Sequence, residues 1–303
     1  MNSNKKRCVT AKLRRAREQL GGSWERVMEG FVAPSLIKTW LDGDVGSWRE
    51  RLYSRLTTLK MFMGQVLSAD QTCQEAVIRE AAQNAQPRSL STGPYCAARK
   101  RLSLALIERF GREAGARLSA TGAHASRWRG REVKLADGTT ISMPDTDENQ
   151  QAFPQSKEQK PGLGFPVARL VAIISLSCGA VLEWASGPCE GKGSGETTML
   201  RGLVNRLSGG DVLLVDRYYA GYFMLALLLQ QGVDVVVRQH QLRHTDFRRG
   251  KRLGKRDHFV SWQRPQRPSW MDPATYAAMP EYLTLREVRV GDWTLVSLSL
   301  IHI

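Results

Sequence analysis

The stretch that most constrains this chain is Asp211-Val212-Leu213-Leu214-Val215-Asp216, four apolar residues between two aspartates, launched from Gly209-Gly210. A strand with one solvated face alternates polar and apolar residues, whereas one that is apolar throughout is covered on both faces. The run, bounded by a glycine turn, predicts the buried centre of a sheet. Val233 to Arg238 reads as another buried strand, and Tyr219 to Gln231 between them has helical spacing.

Upstream, Val133 to Met143 reads as a strand with a turn-like Asp137-Gly138 in it. Val167 to Ser177 and Ala180 to Ser186 follow as strands joined by Cys178-Gly179, and Thr197 to Leu207 as a helix. The order strand–strand–strand–helix–strand–helix–strand predicts α/β with a mixed sheet. Before about residue 125 the periodicity is helical instead. Arg51 to Glu80 carries apolar residues at three-and-four spacing, and Tyr95 to Phe110 is helical after the turn-rich Ser89 to Pro94. Tyr282 to Val290 and Trp293 to Leu300 alternate like paired edge strands. We divide the chain into a basic arm (1–20), a helical region (21–125) and an α/β region (126–303) with a β-rich basic insertion at about 239–296.

Charge narrows the partner. Lys and Arg number 44 against 29 Asp and Glu, a net +15, which points to a polyanion, with nucleic acid ahead of a membrane surface. The most apolar stretch, Pro166 to Trp184, contains Arg169 and Glu183 and falls short of a span of about 20 residues. The basic N-terminus is followed by no apolar core of a signal peptide. The five cysteines are scattered without a CxxC pair, which suits free thiols in a reducing cytosol. These features predict a cytoplasmic, nucleoid-associated protein.

Two aspartates carry the candidate chemistry. Asp137 lies in the first strand and Asp216 closes the central apolar one. An acid at the carboxyl end of a central strand faces the crevice where α/β sheets bind ligands. Two converging carboxylates are hard oxygen donors for Mg²⁺, with Mn²⁺ as substitute, and form half of a two-metal site for phosphoryl transfer. Each aspartate taken alone reads first as a turn former or strand-end cap, and the two together in this strand order point to catalysis.

The runs Leu135-Ala136-Asp137-Gly138-Thr139 and Gly209 through Asp216-Arg217-Tyr218-Tyr219, together with Tyr95 to Leu102 and Leu283 to Val290, resemble the DDE transposases of the IS-four insertion-sequence family. The resemblance covers about residues 30 to 296. It implies an RNase H-like core, an N-terminal helical DNA-binding region and a β-rich insertion. It also implies a DDE triad in which Asp137 and Asp216 match the two aspartates. Arg217 and Tyr218 would then face double-stranded DNA, both terminal repeats and target, and Arg238 would meet its backbone. A homodimer on DNA is the family's expectation.

The family's third acid, a Glu in the pattern Tyr-x2-Arg-x3-Glu-x6-Lys, has no counterpart, because no lysine follows Lys255. Glu281 and Glu287 read as surface charges around a strand. The expectation is therefore a C-terminally truncated, impaired transposase with one face of its sheet uncovered. Two alternatives stand beside it: a DNA-binding remnant without catalysis, and an RNase H-like nuclease using another acid such as Glu183 or Glu190.

DNA contacts are expected from Arg99, Lys100 and Arg101 on the second helix of a candidate DNA-reading pair, although any small helical bundle shows this pattern. The segment Arg238 to Arg267, with Arg248, Arg249, Lys251, Arg252, Lys255 and Arg256, reads as a DNA track or equally as a solvated charged hairpin. Base flipping, usual in such transposases, makes Trp262 and Trp270 candidate stacking residues. His240, His244 and His258 read as surface or phosphate-contacting groups rather than zinc ligands. The glycine-rich Gly187 to Gly195 lacks the spacing of a phosphate-binding loop.

Overall fold

The computed structural model describes residues 34–43, 48, 52–83, 90–158, 160, 162–191 and 193–298, with only the backbone of 122–126. The basic arm expected at 1–20 lies outside these residues. The chain forms two compact units, Met1–Leu118 and Ser119–Ile303, and no described helix is long and apolar enough to cross a membrane.

The first unit is helical: α1 (Pro34–Asp42), α2 (Arg55–Leu67), α3 (Cys73–Gln83), α4 (Gly93–Arg99) and the start of α5 (Leu104–Ser126). The periodic stretch Arg51 to Glu80 is thus two helices. Ser68 closes α2, with its backbone N–H returned to Gly64 and Gln65. The expected helix over Tyr95 to Phe110 is also broken. Its first part ends at Arg99, and Ser103 restarts the chain by accepting from the Leu106 N–H at 3.1 Å. Ile37, Trp40, Leu59, Leu106 and Phe110 form one buried cluster, and Tyr53, Met61, Val77 and Tyr95 another.

The second unit is α/β. Its strands are β1 (Val133–Ser142), β2 (Val167–Ser175), β3 (Val181–Pro188), β4 (Val212–Val215), β5 (Asp234–Arg238), β6 (Lys251–Gly254), β7 (Asp257–Gln263), β8 (Tyr282–Val290) and β9 (Trp293–Ser297). They form one nine-stranded sheet in the order β3-β2-β1-β4-β5-β9-β8-β7-β6. β2 runs antiparallel to β1 and β3, whereas β1, β4 and β5 are parallel. β1 is continuous through Asp137-Gly138, so the turn expected there is absent. β9 is no edge strand either, because it pairs with both β5 and β8 and carries the basic insertion onto the core sheet.

Register explains the core. Ile173, Ala136, Val215, Val237 and Val296 form a row across five strands, all of it buried. Helix α6 (Asp147–Ala152) follows β1. Over the β2–β3 side packs α7 (Glu196–Leu203), which touches α8 (Tyr222–Gln230) over β5. Helix α8 is apolar almost all round and buries Tyr222, Met224, Leu225, Ala226 and Leu228, leaving Leu229 exposed near its end. The alternate row, Ile174, Leu135, Leu214 and Val236, is only half-buried. A final helix, α9 (Pro273–Ala278), is capped by the Asp272 side chain, which accepts from the Thr275 N–H at 2.9 Å.

Candidate functional site

The parallel pairing of β1 and β4 sets Val133 beside Val212 and Ala136 beside Val215. The next residue on each strand is an aspartate, so Asp137 and Asp216 leave neighbouring strands at the same level. Neighbouring strands lie about 4.8 Å apart, which lets two carboxylates reach one cation. Both aspartates are exposed, and Asp137 accepts from the Gly138 N–H at 2.8 Å.

A third acid reaches the strand position after Asp137. Glu196, the first residue of α7, lies against Gly138: a Cβ built there would stand 2.5 Å from its carboxyl carbon and 2.8 Å from its Oε1. The loop before α7 is the glycine-rich stretch, with Gly191 and Gly193 at φ of 114° and 83°. It is tied down by Arg169, whose guanidinium donates to the Ser194 carbonyl at 3.0 Å, and by the Ser194 hydroxyl, which donates to the Gly191 carbonyl at 2.8 Å. Beneath the acids sits Tyr219, 1% exposed. Burial, then the charges of Glu196 and Asp137, with Asp216 adding, push its hydroxyl well above the usual phenol range. Glu196 stands close enough to act on that hydroxyl, yet no described residue meets it with hydrogen-bond geometry.

The other ends of the same strands differ. Asp211, before β4, accepts from Lys134 at 2.6 Å, and Asp234, at the start of β5, from Arg131 at 2.6 Å. These pairs are structural neutralisation. By contrast, Asp137, Asp216 and Glu196 form no ion pair with a described residue. Among the described residues, no three acidic, imidazole or thiol groups are already drawn together around a cation position. An open cleft of about 600 Å³, lined by Asp145, Asp147, Gln150 and Lys157 among others, includes none of the three acids.

The expected DNA contacts divide by environment. Lys251, Arg252, Lys255 and Arg256 line the β6–β7 hairpin, exposed and without an ion pair to a described residue. Arg248 and Arg249 share Asp246. Arg238 is exposed over the Trp293 ring at 5.0 Å, and Arg217 lies 5.4 Å from the exposed Tyr218 ring. Arg99 donates to Gln65 at 3.2 Å, while Lys100 and Arg101 are exposed, Arg101 lying 4.9 Å from the Trp48 ring.

Three expectations fail. Trp262 is 4% exposed and donates from its indole to Glu287 at 3.0 Å, so it is a core residue rather than a base-stacking one. Glu287 is no surface charge: it is 3% exposed and receives Trp262 and His258. His258, buried between Glu287 and the Arg249 carbonyl, is likewise no surface group. All three point to the buried face of the sheet, which the basic residues around them obscured. Trp270 remains half-exposed, with Arg201 over its ring at 3.4 Å.

Sequence reasoning missed Glu196. The signal was a glycine-rich loop ending in an acid at the start of a helix, dismissed because it matched no phosphate-binding spacing. Of the two acids it offered instead, Glu190 is engaged by Ser156 and the Lys157 N–H, both at 3.1 Å. No protein-family model matches the chain, and no curated protein does.

Proposed function

We propose that this chain is a transposase of the insertion-sequence type, with Asp137 and Asp216 as the metal-holding pair of a DNA-processing centre. The observation that carries this is the level placement of two unpaired aspartates on adjacent parallel strands. The order β3-β2-β1-β4-β5 with β2 reversed supports reading the core as RNase H-like, and β6 to β9 as its basic insertion.

The donor set suits a hard cation, since carboxylate oxygens are what Mg²⁺ and Mn²⁺ take. Bound there, Mg²⁺ lowers the pKa of an attacking water or hydroxyl and stabilises charge on the scissile phosphate. Asp137 and Asp216 would hold that cation at the open end of the parallel ladder. The free cations of the β6–β7 hairpin, with Arg217 and Arg238, draw the DNA backbone by phosphate contact. A homodimer would hold two DNA ends, and the protein would act on the nucleoid. A bland reading of the hairpin competes, because charged edge strands such as β6 discourage sheet-to-sheet aggregation.

The test is nicking of supercoiled plasmid at low salt with Mg²⁺ or Mn²⁺, comparing the chain with Asp137→Asn and Asp216→Asn. Nicking that needs the cation and both aspartates is expected. Nicking that survives both substitutions, or salt-sensitive DNA binding with no nicking under either cation, rejects the catalytic part of this reading.

A further inference from the structure

We infer that Glu196 is the third carboxylate of this centre, a ligand for the same divalent cation as Asp137 and Asp216. The inference rests on the metal-centre reading of those two residues and adds a residue that the sequence motifs do not reveal.

The argument begins with Gly138. In β1 alternate side chains point to opposite faces, so Gly138 shares the helix-covered face with the buried Ala136. Any side chain at 138 would fill the space over the strand there. Glycine leaves it open, and the Glu196 carboxylate occupies it. Glu196 thereby arrives from the helix side of the sheet at the strand position immediately after Asp137.

The ordinary role for a glutamate in the first turn of a helix is to offset the helix dipole while its charge stays in water. Glu196 departs from that role, because it is half-buried and lies against a strand. The protein carries a large excess of cations, yet none of the described ones pairs with Glu196, Asp137 or Asp216. Three acids at the opposite end of the same sheet are held by protein partners: Asp211 by Lys134, Asp234 by Arg131, Glu132 by three serines. All three carboxylates act on the one Tyr219 hydroxyl without a described counter-charge, and a divalent cation is the ligand that would offset such a concentration of negative charge.

Tyr219 is the independent observation. A phenol buried to this depth ordinarily finds a hydrogen-bond partner. No described group meets its hydroxyl with hydrogen-bond geometry, although Glu196 stands within reach of it and the charges of Asp137 and Asp216 act on it too. A hydrated cation held by those acids would offer that hydroxyl a polar partner, since Mg²⁺ bound by carboxylates keeps several waters.

The test is a calorimetric Mn²⁺ titration of the full chain and its variants. Glu196→Gln, Asp137→Asn and Asp216→Asn are each expected to weaken Mn²⁺ binding at least about tenfold, the scale seen when support of a metal site is removed. Glu190→Gln, the acid engaged elsewhere, should bind as the parent does. Gly138→Ala changes no acid but displaces Glu196, so it should weaken binding similarly, and it carries the test if Glu196→Gln fails to fold. Binding unchanged in Glu196→Gln and Gly138→Ala, but lost in Asp137→Asn, overturns this inference alone. Binding absent from the parent, or indifferent to both aspartates, overturns the metal-centre reading beneath it.

Discussion

The Glu196 carboxyl carbon lies 2.5 Å from the point a Gly138 Cβ would occupy, so these two residues fit together only because one has no side chain. The clash in Gly138→Ala falls on the far end of a flexible side chain, and Gly138 does not adopt a positive φ. Alanine also suits a strand better than glycine by about 0.5–1 kcal/mol. The variant should melt within a few degrees of the parent while its cation affinity falls. A large loss of stability would show that Glu196 cannot move aside.

Tyr219→Phe separates a structural hydroxyl from one that awaits a ligand. Leaving a buried hydroxyl unpaired costs about 1–3 kcal/mol. Removing it should therefore leave stability in cation-free buffer unchanged or raise it by about 1 kcal/mol, and the advantage should shrink when Mn²⁺ is added. Urea titrations with and without Mn²⁺ measure both. Destabilisation without cation would mean that the hydroxyl already has a partner.

Glu132 offers a pH test away from the site. Burial works to raise its pKa, but hydrogen bonds from Ser175, at 2.5 Å, and Ser119, with the Lys134 charge and Ser177, outweigh burial and hold it below the usual glutamate value. A depressed carboxyl pKa means stability that is complete above the unfolded value and is lost as pH falls through the folded one. Glu132→Gln should thus be about 1–2 kcal/mol less stable at pH 7. The two proteins should converge as acid protonates Glu132 itself. A difference constant with pH would assign the loss to packing.

The basic hairpin predicts a salt effect. Each phosphate contact contributes a slope of about −0.9 in log affinity against log salt. Replacing Lys251, Arg252, Lys255 and Arg256 with alanine should make the slope shallower by about 3 to 4 if all four meet phosphate. An unchanged slope would leave them as the charged guard of an edge strand.

Trp262 and Glu287 should behave as core. Trp262→Ala is expected to destabilise the protein by about 3–5 kcal/mol. Any loss of DNA binding should follow the loss of folded protein in thermal melts. A Trp262→Ala chain that melts like the parent would contradict its burial.

The sheet was legible because its central strands announce themselves. Val212–Val215 and Asp234–Arg238 are apolar where covered on both sides, and the glycines at 209 and 210 mark where the first begins. The two aspartates followed from that frame. Helix interruptions were harder to read: apolar spacing continues across Ser68 and Ser103, and only local backbone capping breaks it. The role of the 240–267 segment was obscured by its charge. Arginines and lysines crowded into adjacent pairs just before β7 hid the fact that His258, Trp262 and Glu287 share one buried face across β7 and β8. Glu196 was illegible for another reason, since its place beside Asp137 depends on contact across 59 residues of chain, through a glycine that periodicity treats as a blank.

The central claim, a cation held between β1 and β4, is tested most directly by letting the metal mark its own position. Fe²⁺ with ascorbate and peroxide cuts a polypeptide next to where the iron binds. Cuts are expected beside Asp137 and Asp216, suppressed by excess Mg²⁺ and absent from Asp137→Asn and Asp216→Asn. Cuts confined to other positions such as His240 and His244, or cuts beside the aspartates that persist in both variants, would contradict it.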